Sequence, residues 1–183
     1  MKLIFMGEER SMKCLLEGVL PKILPQGVSY QLIPHRGKQD LRRSIPNKLR
    51  AWNEPGEVAF IIVQDQDNKD CIALKKEILE LYRPSHKKVL VRVACQELES
   101  WYFGDLPALE KAYRGKKLAS LAPKSKYRTP DAIPNPKEEL RKLIPEHEQI
   151  QGAKKIAPFM DIENNTSVSF QFFVSGVKRM AGC

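Results

Sequence analysis

The most constraining feature of the sequence is an uninterrupted apolar run at 58–63 that stops at acidic residues. The run reads Val-Ala-Phe-Ile-Ile-Val, and Asp65 and Asp67 follow it, one residue apart. A continuous apolar run rich in β-branched residues is typical of a strand buried on both faces, as in a parallel sheet. Ligands of open α/β sheets bind beyond the carboxyl ends of such strands. The run therefore predicts a parallel sheet with an acidic site at its edge.

The rest of the chain alternates between strand-like and helix-like segments. Further strands are predicted at 2–6, 28–33 and 89–95. Pro46 interrupts the second helical segment and predicts two short helices there, the second with Pro46 in its first turn. Asn68 or Asp70 is expected to cap the helix after the apolar run. The alternation favours an α/β fold with a mostly parallel four-stranded sheet flanked by helices.

A change of composition divides the chain into a core and an extension. Residues 1–113 carry the alternating strands and helices, whereas 114–136 is basic and broken by prolines. Ordered loops of that length tend to be functional. We expect 114–183 to form a basic loop and a helical extension packed on the core, within a single globular unit.

The overall composition indicates what kinds of molecule the protein is expected to bind. The chain has 183 residues, a net charge of +9 and 42% hydrophobic residues, values that suit a basic globular domain. A basic balance favours polyanionic partners, nucleic acid first. No apolar run is long enough to cross a bilayer and no signal-peptide pattern is present, so no membrane partner is expected and the cytoplasm is the expected compartment. Four scattered cysteines without C-x-x-C spacing argue against a disulfide framework or a zinc site.

Acidic residues follow three of the four predicted strands. They are Glu8 and Glu9, Asp65 and Asp67, and Glu97 and Glu99. Parallel neighbouring strands would bring these carboxylates to one edge, where like charges are costly unless a cation neutralises them. Mg²⁺ or Mn²⁺ could bridge them and hold a scissile phosphate, or one carboxylate could act as a general base toward water. Each pair also has a simpler interpretation, as an Asx-rich turn, as first-turn helix acids, or as surface and capping groups.

Two basic groups are candidates for binding a phosphate backbone. They are His35, Arg36 and Lys38 after the second predicted strand, and Lys124, Lys126 and Arg128 in the loop. The first group should share the edge of the sheet with the acids, where it could contact phosphate or orient water. The second alternates in a way that suits a strand-like segment at 124–128 along a phosphate backbone. The alternatives are a solvated basic turn and a solvated lysine-rich loop.

These residues resemble known families at two levels. A strand, a glutamate and a helix, followed two strands later by an apolar run ending Asp-x-Asp, resembles the signature of the TOPRIM superfamily, which includes topoisomerases, primases and nucleases. Four phrases resemble small bacterial TOPRIM-like proteins of unassigned function, often encoded beside ABC- or AAA-type ATPases in mobile or anti-phage loci. The phrases are Glu-Glu-Arg-Ser-Met-Lys (8–13), Pro-His-Arg-Gly-Lys-Gln-Asp-Leu (34–41), Asp-Gln-Asp-Asn-Lys-Asp-Cys (65–71) and Glu-Leu-Glu-Ser-Trp-Tyr-Phe-Gly-Asp (97–105).

The resemblance implies a TOPRIM-like, Rossmann-like fold and a role for each matched acid. The superfamily's glutamate falls on Glu8 and its Asp-x-Asp pair on Asp65 and Asp67. It implies Mg²⁺ or Mn²⁺ on the aspartates, with Glu8 as acid, base or further ligand. The superfamily usually has a glycine directly after its glutamate, whereas here Gly7 precedes it and Glu9 follows. Both glutamates therefore stay candidates for the catalytic role.

The leading hypothesis is a divalent-metal-dependent nuclease that hydrolyses phosphodiester bonds in DNA or RNA. By family analogy, it would be an effector in anti-phage defence under the control of an ATPase partner. Its candidate catalytic residues are Glu8, Glu9, Asp65 and Asp67. Its candidate metal ligands are Glu8, Asp65, Asp67, Glu97 and Glu99. One alternative is a non-catalytic regulatory or nucleic-acid-binding subunit of an ATPase complex, and another is a phosphohydrolase acting on nucleotides.

Overall fold

A parallel sheet forms the centre of the fold. The computed structural model describes residues 1–67, 69–82 and 86–183. Its strands are β1 (Lys2–Gly7), β2 (Ser29–Pro34), β3 (Val58–Asp65) and β4 (Lys88–Ala94). Among the described residues they form a four-stranded sheet in the order β2-β1-β3-β4, and every neighbouring pair is parallel. The predicted α/β fold class is confirmed, and the architecture is consistent with a Rossmann-like fold.

Helices flank the sheet and make up most of the C-terminal part of the chain. They are α1 (Arg10–Ile23), α2 (Lys38–Ala51), α3 (Cys71–Tyr82), α4 (Glu99–Phe103), α5 (Leu106–Ala112), α6 (Pro136–Leu143), α7 (Gln149–Ile156) and α8 (Val168–Ala181). Short 3-10 turns lie at Ala119–Leu121, Ser125–Tyr127 and Pro130–Ala132. In the described part of the chain, no helix has the length and apolar character needed to cross a bilayer.

The apolar run of β3 is buried on both faces, as its sequence predicts. Phe60 and Ile62 pack into a core with residues of α2 and α3 on one face. Ile61 and Val63 pack into the larger core on the other face, together with residues of α1 and α8. All four side chains are completely inaccessible to solvent. This burial holds the carboxyl end of β3, and with it the acidic residues that follow, in a rigid frame.

The prediction of two short helices around Pro46 is wrong, because α2 runs through the proline as one helix. Proline removes a backbone donor and costs a helix interior about 3 kcal/mol. Leu41, Ile45 and Leu49 are fully buried against the sheet from the same face of α2. Burying each such side chain contributes about 1.5–3 kcal/mol, so the three together outweigh the proline. The residue after α2's last turn, Trp52, donates its backbone amide to Lys48 and closes the helix.

Asp70 caps α3, as expected. Its Oδ1 accepts a hydrogen bond of 2.7 Å from the Ala73 amide, which satisfies one of the unpaired donors of the first turn. The other expected cap, Asn68, lies outside the described residues.

The C-terminal helices pack back onto the core. Helix α7 lies against α1 so closely that a Cβ on Gly18 would meet the Ala157 side chain. Lys22 donates to the carbonyl oxygens of Ala157, Pro158 and Met160 at 2.8–3.0 Å, and so satisfies carbonyls where α7 ends. Helix α8 packs on β4. The extension thus shares one hydrophobic core with the sheet.

Candidate active site

The carboxyl ends of the strands bring acidic residues to one edge of the sheet. Glu8 directly follows β1, and Asp65 is the last residue of β3. The register pairs Gly7 with Val63 and Asp65 with Ala94, so β1, β3 and β4 end side by side. The Asp65 amide donates to Glu8 Oε2 at 3.3 Å. The Glu8 carboxylate is therefore in contact with the backbone of Asp65.

Three of these carboxylates, Glu8, Asp65 and Glu99, form a group that we call the inner acids. Glu8 is 8% exposed and Glu99 3%, and Asp65 Oδ1 is buried without a hydrogen-bond partner among the described residues. Burial, and then the charge of Asp67, raises the pKa of Glu8 to about 7. Burial, together with the charge of Glu97, raises the pKa of Glu99 to about 7. Burial and the charges of Glu99 and Glu8 hold the pKa of Asp65 well above its ordinary value.

Asp67 lies farther out and is held by a basic residue. Its Oδ2 is 3.0 Å from the Nζ of Lys38, the first residue of α2. Its backbone amide donates to the Gln96 carbonyl at 2.8 Å, which connects the segment after β3 to the segment after β4. Asp65 and Asp67 thus occupy different environments: Asp65 has a buried, unpartnered oxygen among acids, whereas Asp67 is paired with a cation at the surface.

A small polar cleft of about 90 Å³ opens beside Asp67. Asp67, Gln96 and Asn135 have φ angles of 53°, 59° and 49°, the left-handed region that L-residues seldom adopt. These are the non-glycine residues with positive φ in the described part of the chain, and all of them line this cleft with Glu97 and Pro136. Such backbone costs on the order of 1 kcal/mol per residue and gathers at functional sites.

Glu9 and Glu97 stand at the border of this group. Glu9 precedes α1 without a side-chain cap bond, and its charge adds to the raised pKa of Glu8, Asp65 and Glu99. Glu97 Oε2 accepts a hydrogen bond of 3.0 Å from the backbone amide of a residue in the first turn of α6. The capping interpretation therefore describes Glu97, whereas the side chain of Glu99 turns inward to the inner acids.

The first basic group lies beside these acids. His35 is 7% exposed, and its Nδ1 is 2.8 Å from the Gly7 carbonyl, which can only accept, so Nδ1 carries the proton. Its Nε2 is buried without a partner among the described residues. The Gly37 amide donates to the Glu8 carbonyl at 3.0 Å, which fixes the turn between β2 and α2 against the end of β1. The two exposed members of the group are Arg36 and Lys38.

The second basic group does not form the predicted strand, because 124–128 folds into a 3-10 turn. Tyr127 buries its ring there, and its hydroxyl donates to Glu139 Oε1 at 2.7 Å. Lys126 Nζ lies 2.6 Å from Glu139 Oε2, and Arg128 Nε donates to a backbone carbonyl of the same segment at 3.0 Å. The contacts of Tyr127 and Lys126 with Glu139 hold the turn on the first turn of α6. All three basic residues of the group are exposed at the surface: Lys124, Lys126 and Arg128.

Tyr102 is a residue of this site that sequence reasoning missed. It is 1% exposed, and its hydroxyl has no hydrogen-bond partner among the described residues. Burial, and then the charges of Glu99 and Asp65, raise the pKa of this phenol well above its ordinary value. The hydroxyl therefore keeps its proton beside the inner acids. The sequence does contain a clue to this position, because Tyr102 follows Glu99 by three residues on α4 and so lies on the same face of the helix.

The donor chemistry at this edge fits a hard divalent cation. Mg²⁺ and Mn²⁺ take oxygen ligands, and Asp65 Oδ1 is a buried oxygen without a donor. In the described ranges, no three His, Cys, Asp or Glu side chains already converge as a ready-made ion site. The reason is visible in the contacts, since Asp67 is turned to Lys38 and Glu8 to the Asp65 amide. An ion on Asp65 would need those two side chains to reorient.

Comparison with known proteins identifies a family. No curated protein and no solved structure matches the chain. A family model described as a domain of unknown function, DUF4276, matches residues 7–178. This match includes the ends of β1, β3 and β4 and nearly the whole extension, so the acidic edge and the helices packed on it fall within one family domain. The chain belongs to the DUF4276 family.

Proposed function

We propose that this protein is a divalent-metal-dependent nuclease that hydrolyses phosphodiester bonds in DNA or RNA. The observation that carries the proposal is the burial of Glu8 and Glu99 around the unpartnered Oδ1 of Asp65, where burial and the charges of Glu99 and Glu8 raise the pKa of Asp65. Buried carboxylates without compensation lower the stability of a fold, so a functional reason for them is favoured. Their place at the carboxyl ends of parallel strands supports a ligand site. The resemblance to the TOPRIM superfamily supports a catalytic one.

Each group of residues has a role in this proposal. Asp65 and Asp67 would hold the ion, with Glu8 as a further ligand or as the base that takes a proton from water, and Glu97 and Glu99 could hold a second ion. The bound ion supplies charge neutralisation at the scissile phosphate and lowers the pKa of the attacking water. The exposed cations beside the acids would bind the phosphates that flank the scissile bond. Glu9, which follows Glu8 directly, is the second candidate for the base.

The proposed partners follow from charge and resemblance. The net charge of +9 suits a nucleic-acid substrate. The resemblance adds an ABC- or AAA-type ATPase that would control the nuclease and an anti-phage role, and the sequence pattern adds the cytoplasm as the expected compartment. The ATPase and the anti-phage role rest on analogy and not on a contact within this chain.

The test is cleavage of supercoiled plasmid and of total tRNA by the purified protein in Mg²⁺, Mn²⁺ or EDTA. The double variant Asp65→Ala, Asp67→Ala should abolish metal-dependent cleavage. The matched control is Glu54→Ala, Glu57→Ala, which removes two exposed acids before the opposite end of β3. The control should cut like the natural protein. Equal cutting by both double variants would overturn the proposal.

A second candidate, a non-catalytic regulatory or binding subunit, is favoured by the Lys38–Asp67 ion pair. That pair already neutralises one of the proposed ion ligands without a metal. This candidate requires that neither polymer is cut and that calorimetry detects no Mn²⁺ binding. Metal-dependent hydrolysis of nucleoside triphosphates, with neither polymer cut, would indicate a nucleotide phosphohydrolase instead.

A further inference from the structure

Lys38 occupies a position that its own helix does not favour. It is the first residue of α2, where the partial positive charge of the helix N-terminus repels a cation and favours an acid. Asp67 Oδ2 lies 3.0 Å from its ammonium and provides the compensation from a different strand. A cation at a helix N-terminus that is stabilised by a carboxylate from a distant segment indicates that Lys38 has a role beyond helix formation.

The turn before α2 positions Lys38 next to the acids. Gly37 has a φ of 95°, which a residue with a side chain would adopt only with strain. Its amide donates to the Glu8 carbonyl at 3.0 Å, and the Arg36 amide donates to Asp40 Oδ2 at 2.9 Å. The start of α2 is thereby tied to the end of β1. The lysine side chain is about half-exposed, so its ammonium is free to leave once Asp67 has another partner.

The position of the ammonium also explains why the acids do not yet form a complete ion site. Asp67 Oδ2 is paired with Lys38, the Oδ1 of Asp65 has no hydrogen-bond partner, and no three ligand side chains converge among the described residues. An ammonium and a divalent ion both need the same carboxylate oxygen. The ammonium carries one charge and a divalent ion two, so the ion is the stronger partner when Asp65 contributes as well.

We propose that Lys38 is a tethered cation that occupies Asp67 until a divalent ion binds there, and that then binds a phosphate of the substrate. This inference rests on the proposed function, because it needs an ion on Asp65 and Asp67 and a phosphate nearby. Lys38 would thus act first as a competitor of the metal and later as a substrate-binding residue. Without substrate, the released ammonium would face water.

The first test is Mn²⁺ binding measured by calorimetry, which does not depend on cleavage. Lys38→Met keeps most of the apolar stem and removes the charge. We expect it to bind Mn²⁺ roughly three- to tenfold more tightly than the natural protein, because it removes a like charge a few ångströms from the ion. The matched control is Lys88→Met, which removes a similarly exposed ammonium paired with Glu57 at the opposite end of the sheet. The control should bind Mn²⁺ like the natural protein.

The second test separates the substrate role from the metal role. Binding of a fluorescent single-stranded DNA, and of the RNA of the same sequence, is measured by anisotropy over a range of salt concentrations. In Mn²⁺, and in a Glu8→Gln, Glu9→Gln background that lacks both candidate bases but keeps side-chain oxygens for the ion, adding Lys38→Met should reduce the slope of log affinity against log salt by about 0.7, the value of one lost phosphate contact. Without the metal ion, the slope should not change, because the ammonium is then engaged by Asp67.

The Mn²⁺ affinities distinguish failure of the inference about Lys38 from failure of the proposed nuclease. Weaker Mn²⁺ binding by Lys38→Met would mean that the lysine merely positions Asp67, and would overturn the inference. Equal Mn²⁺ affinity of the two proteins would also overturn it, while the proposed nuclease would stand. Absence of Mn²⁺ binding in both proteins would overturn the ion site itself, and the proposed function with it.

Discussion

Glu8 at the sheet edge and Glu139 in the C-terminal extension are buried to a similar degree but have opposite surroundings. In the extension, Glu139 is 7% exposed and accepts hydrogen bonds from the Tyr127 hydroxyl and the Lys126 ammonium. Burial alone would raise its pKa, but these two donors lower it. At the sheet edge, Glu8 is 8% exposed. Burial and the charge of Asp67 act in the same direction there and raise its pKa to about 7.

This contrast separates carboxylates that stabilise the fold from carboxylates that do not. Asp131 accepts hydrogen bonds from the Ser167 hydroxyl and from the Ser169 amide, both at 2.7 Å, and so holds the start of α8. Its negative charge at a helix N-terminus is stabilising. Carboxylates whose donors outweigh the cost of burial contribute to stability, as Glu139 does, whereas the ionised inner acids lower it because burial and neighbouring charges outweigh their donors. The second kind is the one expected where an ion or a reacting proton belongs.

The largest expected effect contrasts one carboxylate from each region. Asp65→Asn removes a carboxyl group that lies among other acids and is a proposed ligand of the ion, so metal-dependent cleavage should fall more than about a thousandfold. The midpoint of thermal unfolding at pH 8 in EDTA should nevertheless rise, because the repulsion is relieved. Asp131→Asn should do the opposite, lowering the midpoint while cleavage per folded molecule is retained. Asp65→Asn with full activity, or with a lowered midpoint, would break the comparison.

The next effect is a pH dependence of stability that belongs to the inner acids. The pKa of Glu99 is about 7 in the folded chain and 4.5 ordinarily, so the folded state binds more protons between these values. The stability linked to Glu99 is fully present below about pH 4.5 and is lost as the pH rises through 7. The loss is about 3 kcal/mol, since each pKa unit corresponds to about 1.4 kcal/mol. Urea unfolding in EDTA at pH 5 and pH 8 should show that Glu99→Gln removes this loss.

The control for this pH dependence is Glu138→Gln, an exposed acid that pairs with Arg141 on α6. It should leave the difference between pH 5 and pH 8 unchanged. If Glu99→Gln and Glu138→Gln gave the same difference, the burial of Glu99 would have no consequence for the titration, and the contrast between the two regions would fail.

A smaller effect is expected from removing a compensated carboxylate. Asp131→Ala leaves the Ser167 and Ser169 hydroxyls and an amide of α8 without their charged partner. The free energy of unfolding should fall by about 2 kcal/mol, the value of hydrogen bonds to a charged group that water partly replaces. Chemical denaturation at pH 7 measures it. Glu163→Ala, an exposed acid of the same extension, should change the free energy by less than about 0.5 kcal/mol.

The smallest effect on stability is expected from Lys126, a candidate phosphate-binding residue that pairs with Glu139. Lys126→Ala removes the ammonium from Glu139, but the lysine side chain is 46% exposed, so the loss of unfolding free energy should be about 0.5 kcal/mol. Lys124→Ala, two residues away and also exposed, should have almost no effect on stability. Equal losses from the two variants would show that the ion pair does not hold the turn.

The elements of the sheet are predictable from the sequence because their signals are local. The apolar run at 58–63, the breaks after it and the alternation with helical spacing identify β3 and its neighbours within one or two residues. Pro46 shows the limit of such signals, because its tolerance in α2 depends on three buried side chains that meet a sheet formed elsewhere. The segment 124–128 shows it again, since its shape is decided by Glu139, which comes later in the chain.

The strand ends, and hence the acids that follow them, can be identified from sequence patterns alone, because a parallel sheet places all carboxyl ends at one edge. The environment of each acid depends on tertiary packing. Glu97 caps α6 while Glu99 is buried, although both follow the same strand. The partner of Asp67 is Lys38, 29 positions away in the chain. Burial and charge pairing depend on what packs from distant segments, so they determine pKa, and the proposed chemistry, only after the chain has folded.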